Sequence, residues 1–128
     1  GNTEAMAQAV VEGAKHAGAE AELFTAAEFD GGKMDEFDAV AFGCPAMGAE
    51  ELEDGEFAPM FETCESKLSG KKIALFGSYG WGDGEWMRTW EENCRDKGAN
   101  LVCDSVICQE TPDDEALSAC RSLGEALA

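Results

Sequence analysis

Two short apolar runs, Ala39-Val40-Ala41-Phe42 and Ile73-Ala74-Leu75-Phe76, each stop at a glycine, and each leads through a loop into a stretch of helical periodicity. Runs this short and this apolar, bounded by glycine, read as strands buried on both faces. The stretches between them read as amphipathic helices. Thr3 to Ala17 places Met6, Val10, Ala14 and Ala17 on one face, with Gly18 as its stop. Glu56 to Leu68 buries Phe57, Met60, Phe61, Cys64 and Leu68, and Pro59 fits there only in the first turn. Glu85 to Lys97 repeats Trp86, Trp90 and Cys94 at a spacing of four and stops at Gly98. The spacing makes both tryptophans core residues.

Three more elements complete the order. Ala21 to Phe24 reads as a short strand, joined to the next by a connector carrying Gly31-Gly32, and Leu101 to Ile107 reads as the last strand. Thr111 caps a final helix, with Pro112 at its first position and Leu117, Cys120, Gly124 and Leu127 facing inward. Strands alternating with helices imply a parallel sheet with helices on both faces and right-handed crossovers. No repeat or linker divides residues 1–128, so one domain is expected. A doubly wound sheet should feed its first helix from a strand. Here none precedes Thr3, so the domain is expected to be N-terminally incomplete.

Charge narrows the partners. Nine Lys plus Arg against 27 Asp plus Glu give a formal charge of −18. Nucleic acid and anionic membranes are bound by neutralising phosphates with Lys and Arg, so neither is an expected partner. Basic surfaces are favoured instead, with fast, salt-sensitive association. No apolar run is long enough to span a bilayer and no signal peptide opens the chain, so a cytoplasmic location is expected. The six cysteines include no C-x-x-C pair and read as free, mostly buried thiols. His16, the one histidine, lies in a helical pattern, and no metal site is expected.

In open α/β sheets ligands bind beyond the carboxyl ends of the strands. Three segments that fit no core pattern fall there. Gly1-Asn2-Thr3-Glu4 offers backbone N–H groups and a hydroxyl at a helix start, which suits a phosphate as well as a plain cap. Cys44 to Gly55 carries Met47, Gly48 and the pair Glu50-Glu51, which also reads as a surface turn with solvated acids. In Gly77-Ser78-Tyr79-Gly80-Trp81-Gly82-Asp83-Gly84, Trp81 stands between two glycines, where core packing is hard to arrange and a planar ligand could stack.

With these residues in view, the chain is similar to the short-chain flavodoxins. Gly1-Asn2-Thr3-Glu4 resembles the second half of their T-G-N-T-E phosphate loop. Cys44-Pro45-Ala46-Met47-Gly48 with Glu50-Glu51 resembles their first flavin-flanking loop, and Phe76-Gly77-Ser78-Tyr79-Gly80-Trp81-Gly82 with Gly84-Glu85-Trp86-Met87 their second. The resemblance spans the whole chain. It implies a flavodoxin-like doubly wound parallel sheet of family order 2-1-3-4-5, the first strand missing here, with bound FMN at the switch point. That order and that cofactor belong to the known family and are not read from spacing.

The implied function is low-potential one-electron transfer on the semiquinone/hydroquinone couple of FMN: an electron carrier that serves redox enzymes, not an enzyme itself. By resemblance, Gly1, Asn2, Thr3 and Glu4 form the phosphate end, without Lys or Arg. Trp81 stacks on the outer flavin face, Met47 packs on the inner face, and Glu50 accepts from flavin N3–H. The Gly48–Ala49 peptide turns so that its carbonyl accepts the reduced N5–H, while Pro45, Ala46, Ser78, Tyr79, Gly80 and Gly82 complete the contacts. Nearby acids disfavour the anionic reduced flavin and lower its potential. Partners are expected to be basic-surfaced reductases and oxidoreductases, met by a monomer. Two alternatives stay open: a flavin-free interaction domain on the same fold, and a receiver-like signalling domain. The latter wants a lysine after the last strand, where Ile107-Cys108-Gln109-Glu110 has none.

Overall fold

The computed structural model describes residues 2–44, 46–47, 51–52, 55–80 and 84–128. In chain order the elements are α1 (Asn2–His16), α2 (Gly31–Met34), β1 (Ala39–Gly43), β2 (Ala46–Met47) and β3 (Glu51–Leu52). Then come α3 (Phe57–Cys64), β4 (Lys72–Tyr79), α4 (Glu85–Asp96), β5 (Asn100–Leu101), β6 (Val106–Gln109) and α5 (Asp114–Leu127). β4 is the hub of a parallel sheet. It pairs with β1 along Ala39↔Lys72 to Gly43↔Phe76, and on its other edge with β5 and then β6.

Side-chain alternation along β4 sorts the core into two layers. Ile73 and Leu75 pack with Phe42, Phe57, Phe61 and Trp90, beneath α3 and α4. Ala74 and Phe76 pack with Met6, Val10, Cys120 and Leu123, beneath α1 and α5. The aromatic layer is built from edge-on rings, such as Phe42 on Phe61 at 5.0 Å and Phe57 on Trp90 at 5.4 Å. The opposite layer has smaller side chains because α1 and α5 cross closely. A Cβ on Gly13 would stand 1.9 Å from the Arg121 carbonyl oxygen, and one on Gly124 2.0 Å from that of Val10. Each helix thus contributes the glycine that admits the other's backbone.

The expected parallel sheet with helices on both faces is therefore present, and several local expectations change. Residues 21–24 pair with no strand among the described residues, because a β-type segment is a strand only when a ladder partner lies beside it. The glycine connector contains a one-turn helix, α2, capped by Asp30, whose carboxylate accepts from Lys33 N–H at 3.2 Å. The last strand is split into β5 and β6. The cap of α5 is Asp113, accepting from Ala116 N–H at 2.8 Å, which leaves Thr111 and Pro112 outside the helix. Gly77 does not close β4, which runs on through Ser78 and Tyr79.

Candidate functional site at the carboxyl rim of the sheet

The carboxyl ends of β1, β4 and β6 define one rim, and α1 begins there. The first turn of α1 presents amides that have no partner within the helix. Its Thr3 hydroxyl lies 3.2 Å from the hydroxyl of Ser78, near the end of β4. Ser78 is only 6% exposed and is the buried polar residue of the described chain. Two residues 75 apart in sequence thus place their hydroxyls together at the positive end of a 15-residue helix.

Gly77 makes this position possible. A Cβ there would stand 2.1 Å from the Cys44 carbonyl oxygen and 3.2 Å from the Trp86 ring. Without a side chain at 77, the strand exit of β1 closes onto β4, with Cys44 N–H donating to the Phe76 carbonyl at 3.1 Å. Beyond Cys44 the chain turns back as a small antiparallel pair, Ala46↔Leu52 and Met47↔Glu51, which lies against β4. Just beyond β4, Gly80 has nothing among the described residues within 4 Å of where its Cβ would be. Tyr79 rests on Trp86 at 5.5 Å between ring centres.

Of the expected site residues, Asn2, Thr3 and Glu4 lie on the first turn of α1, Ser78 and Tyr79 end β4, and Gly80 follows it. Ala46 and Met47 form β2 beside them. Gly1, Pro45, Gly48, Ala49, Glu50, Trp81 and Gly82 lie outside the described residues. One part of the rim was not anticipated. Glu110 N–H donates to the Tyr79 carbonyl at 2.7 Å, and Gln109 Nε2 donates to the Gly80 carbonyl at 3.4 Å. Glu110 itself takes the left-handed conformation, at φ 58°. The carboxyl-end rule applied to the last strand, together with the turn signal Thr111-Pro112, points to this loop.

The arrangement suits a phosphate monoester at the start of α1. Helix amides and neutral hydroxyls can hold the anion without a cation. FMN fits these residues. No group of three or more His, Cys, Asp or Glu able to hold a metal occurs among the described residues, and no described helix is long and apolar enough to cross a membrane.

Comparison with known proteins agrees with this geometry. The sequence profile of the family described as Flavodoxin matches residues 1–124. A flavodoxin of Megasphaera elsdenii is 44% identical over 131 aligned positions, which cover all of this chain and 91% of that protein. A flavodoxin of Clostridium beijerinckii is 41% identical across the whole chain, covering 92% of its own length. The solution structure of two-electron reduced Megasphaera elsdenii flavodoxin superposes with a TM-score of 0.90 at 44% identity, over 99% of this chain and 90% of that one. A parallel sheet wrapped on both faces, an anion-ready helix start at its carboxyl rim and this likeness over the full length lead to one conclusion: the chain belongs to the flavodoxin family.

Proposed function

We propose that this chain is a low-potential one-electron carrier working on bound FMN, and that it transfers electrons to redox enzymes without catalysing a reaction of its own. The observation that carries the reading is the Thr3–Ser78 hydroxyl pair at the start of α1, on the rim where the family places its flavin. FMN supplies the redox chemistry when bound, and the protein supplies binding and electrostatics.

The residue roles extend this reading. Asn2, Thr3 and Ser78, with the first amides of α1 and with Gly1 and Glu4 beside them, hold the phosphate. Met47 and Trp81 sandwich the ring, and Glu50 meets its polar edge. Backbone groups of Pro45, Ala46, Gly48, Ala49, Tyr79, Gly80 and Gly82 line the remainder. The charge of −18 supports basic-surfaced reductases and oxidoreductases as partners and a monomeric carrier in the cytoplasm. Acids around the ring disfavour added negative charge and hold the potential low.

Reconstitution tests the reading. The chain is mixed with FMN and FAD together, freed of unbound flavin, and the retained cofactor is identified by mass spectrometry and visible absorption. One FMN per chain is expected, reducible in one-electron steps. Retention of FAD, or of no flavin, would overturn it.

A further inference from the structure

A groove of about 630 Å³ runs between β6 and the first turns of α5. We infer that it is a docking site for an extended basic segment of a partner protein, which adds a strand to the outer edge of β6. The inference does not rest on flavin binding.

Hydrogen-bond demand sets the form of the occupant. Glu110 N–H donates to the Tyr79 carbonyl at 2.7 Å, so by strand alternation Val106 and Cys108 also turn their backbone groups toward β4. Ile107 and Gln109 then turn their N–H and C=O groups outward, into the groove. Among the described residues, only β4 pairs with β6. Native edges are commonly blunted by a charge or a proline within the strand, yet β6 reads Val-Ile-Cys-Gln, and Ile107 is 36% exposed. Such an edge is met by another backbone in extended form.

Charge sets its composition. Asp104 stands just before β6, and Asp113 and Glu115 stand across the groove at the start of α5. No Lys, Arg or His lines the groove among the described residues. Asp104 and Glu115 are exposed and form no ion pair among those residues. A second copy of this chain would bring the same acids together across the edge, and like charges so placed oppose pairing. A segment carrying Lys or Arg is attracted instead.

The sheet dictates where those cations fall. Val106 and Cys108 pack toward α1 and α5, and there Ala116 and Ala119 line the groove beside the acids. Ile107 lies on the opposite face of the sheet, its Cδ1 2.7 Å from where a Cβ on Gly84 would stand. An added strand therefore alternates, with basic side chains on the α5 face and β-branched ones beside Ile107. Four residues of edge call for a segment of about six, at ~3.3 Å each.

The experiment titrates the synthetic peptide acetyl-Lys-Ile-Arg-Val-Lys-Val-amide into the 128-residue chain at low salt and follows amide hydrogen exchange residue by residue. One control peptide, acetyl-Glu-Ile-Asp-Val-Glu-Val-amide, reverses the charges. A second carries an N-methyl group on every backbone amide of the first sequence, so that it keeps the side chains and loses the ladder. At saturation the first peptide should slow exchange at Ile107 and Gln109 by at least ~10-fold, and neither control should. The double variant Asp104→Asn, Glu115→Gln, its fold checked by circular dichroism, should bind the first peptide at least ~3-fold more weakly. Equal protection by either control, no protection by any peptide, or protection confined to residues away from β6 overturns the inference. Unchanged affinity in the double variant overturns it as well. So do edge amides already slow in the free chain, whether sedimentation then finds a monomer or a dimer.

Discussion

Replacing Gly77 with alanine tests how closely the rim is assembled. The new Cβ would stand 2.1 Å from the Cys44 carbonyl oxygen, which is main chain and cannot rotate aside, and 3.2 Å from Cζ2 of the packed Trp86 ring. Over-packing costs about 1–3 kcal/mol in general, and a clash with backbone belongs in the upper half, about 2–3 kcal/mol. With an unfolding entropy of ~2.1 cal/mol/K per residue over 128 residues, that loss lowers Tm by about 7–11 °C. Gly80→Ala is the matched comparison. Its Cβ meets nothing within 4 Å among the described residues, so the flavin-free chain should stay within ~0.5 kcal/mol of the parent. Thermal unfolding of the flavin-free chains by far-ultraviolet circular dichroism measures both. FMN titration of Gly77→Ala should also show weaker binding, because Ser78 is the next residue. A Tm for Gly77→Ala within ~2 °C of the parent, or an equal fall for Gly80→Ala, would refute the reasoning.

Thr3→Val and Ser78→Ala should each lower stability, and their double-mutant cycle should give a coupling of about 0.5–1.5 kcal/mol; zero coupling by urea unfolding would remove the bond from the account. Trp81→Ala should weaken FMN binding by about 1 kcal/mol, roughly fivefold, while Trp86→Ala should chiefly lower stability; unchanged FMN affinity in Trp81→Ala would end the stacking role. Burial, with Glu65 nearby, pushes the Cys94 thiol from 9.0 up to about 12, and burial pushes Cys120 up to about 11. Thiols raised by folding ionise first in the unfolded chain, so their contribution is intact below about pH 8.5 and is lost as pH climbs toward 11–12. Urea midpoints from pH 7 to 10.5 should therefore fall on the alkaline side, and less steeply in Cys94→Ala once its own stability loss is subtracted.

Residue pattern alone made much of this molecule legible. Period-3.6 spacing located α1, α3, α4 and α5, and the apolar runs located β1 and β4, since these elements answer to burial on the core. What it misjudged depends on contacts distant in sequence. Gly77 looks like a stop, yet it lies inside β4 because Cys44 comes to rest on it. Residues 21–24 have the side chains of a strand and pair with no strand among the described residues. The site follows the same division. Thr3 and Ser78 were legible as two separate rim segments, but their hydrogen bond is a product of the fold, as is the brace from Gln109 and Glu110. A turn made by the last strand gave no chemical signal of its own.

The two core layers differ in kind, and this decides what spectroscopy can see. Trp86 and Trp90 both lie in the layer beneath α3 and α4, each almost fully buried and each with an indole N–H that meets no acceptor among the described residues. Indoles so placed emit at short wavelength and shift to the red only when water reaches that side of the sheet. The layer under α1 and α5 holds no tryptophan among its members and carries instead the buried thiol of Cys120. With Trp81 replaced by phenylalanine, intrinsic fluorescence becomes a reporter for one face of the sheet, and labelling of Cys120 a reporter for the other. Opening of the α1–α5 face would be dark in the first channel and visible in the second.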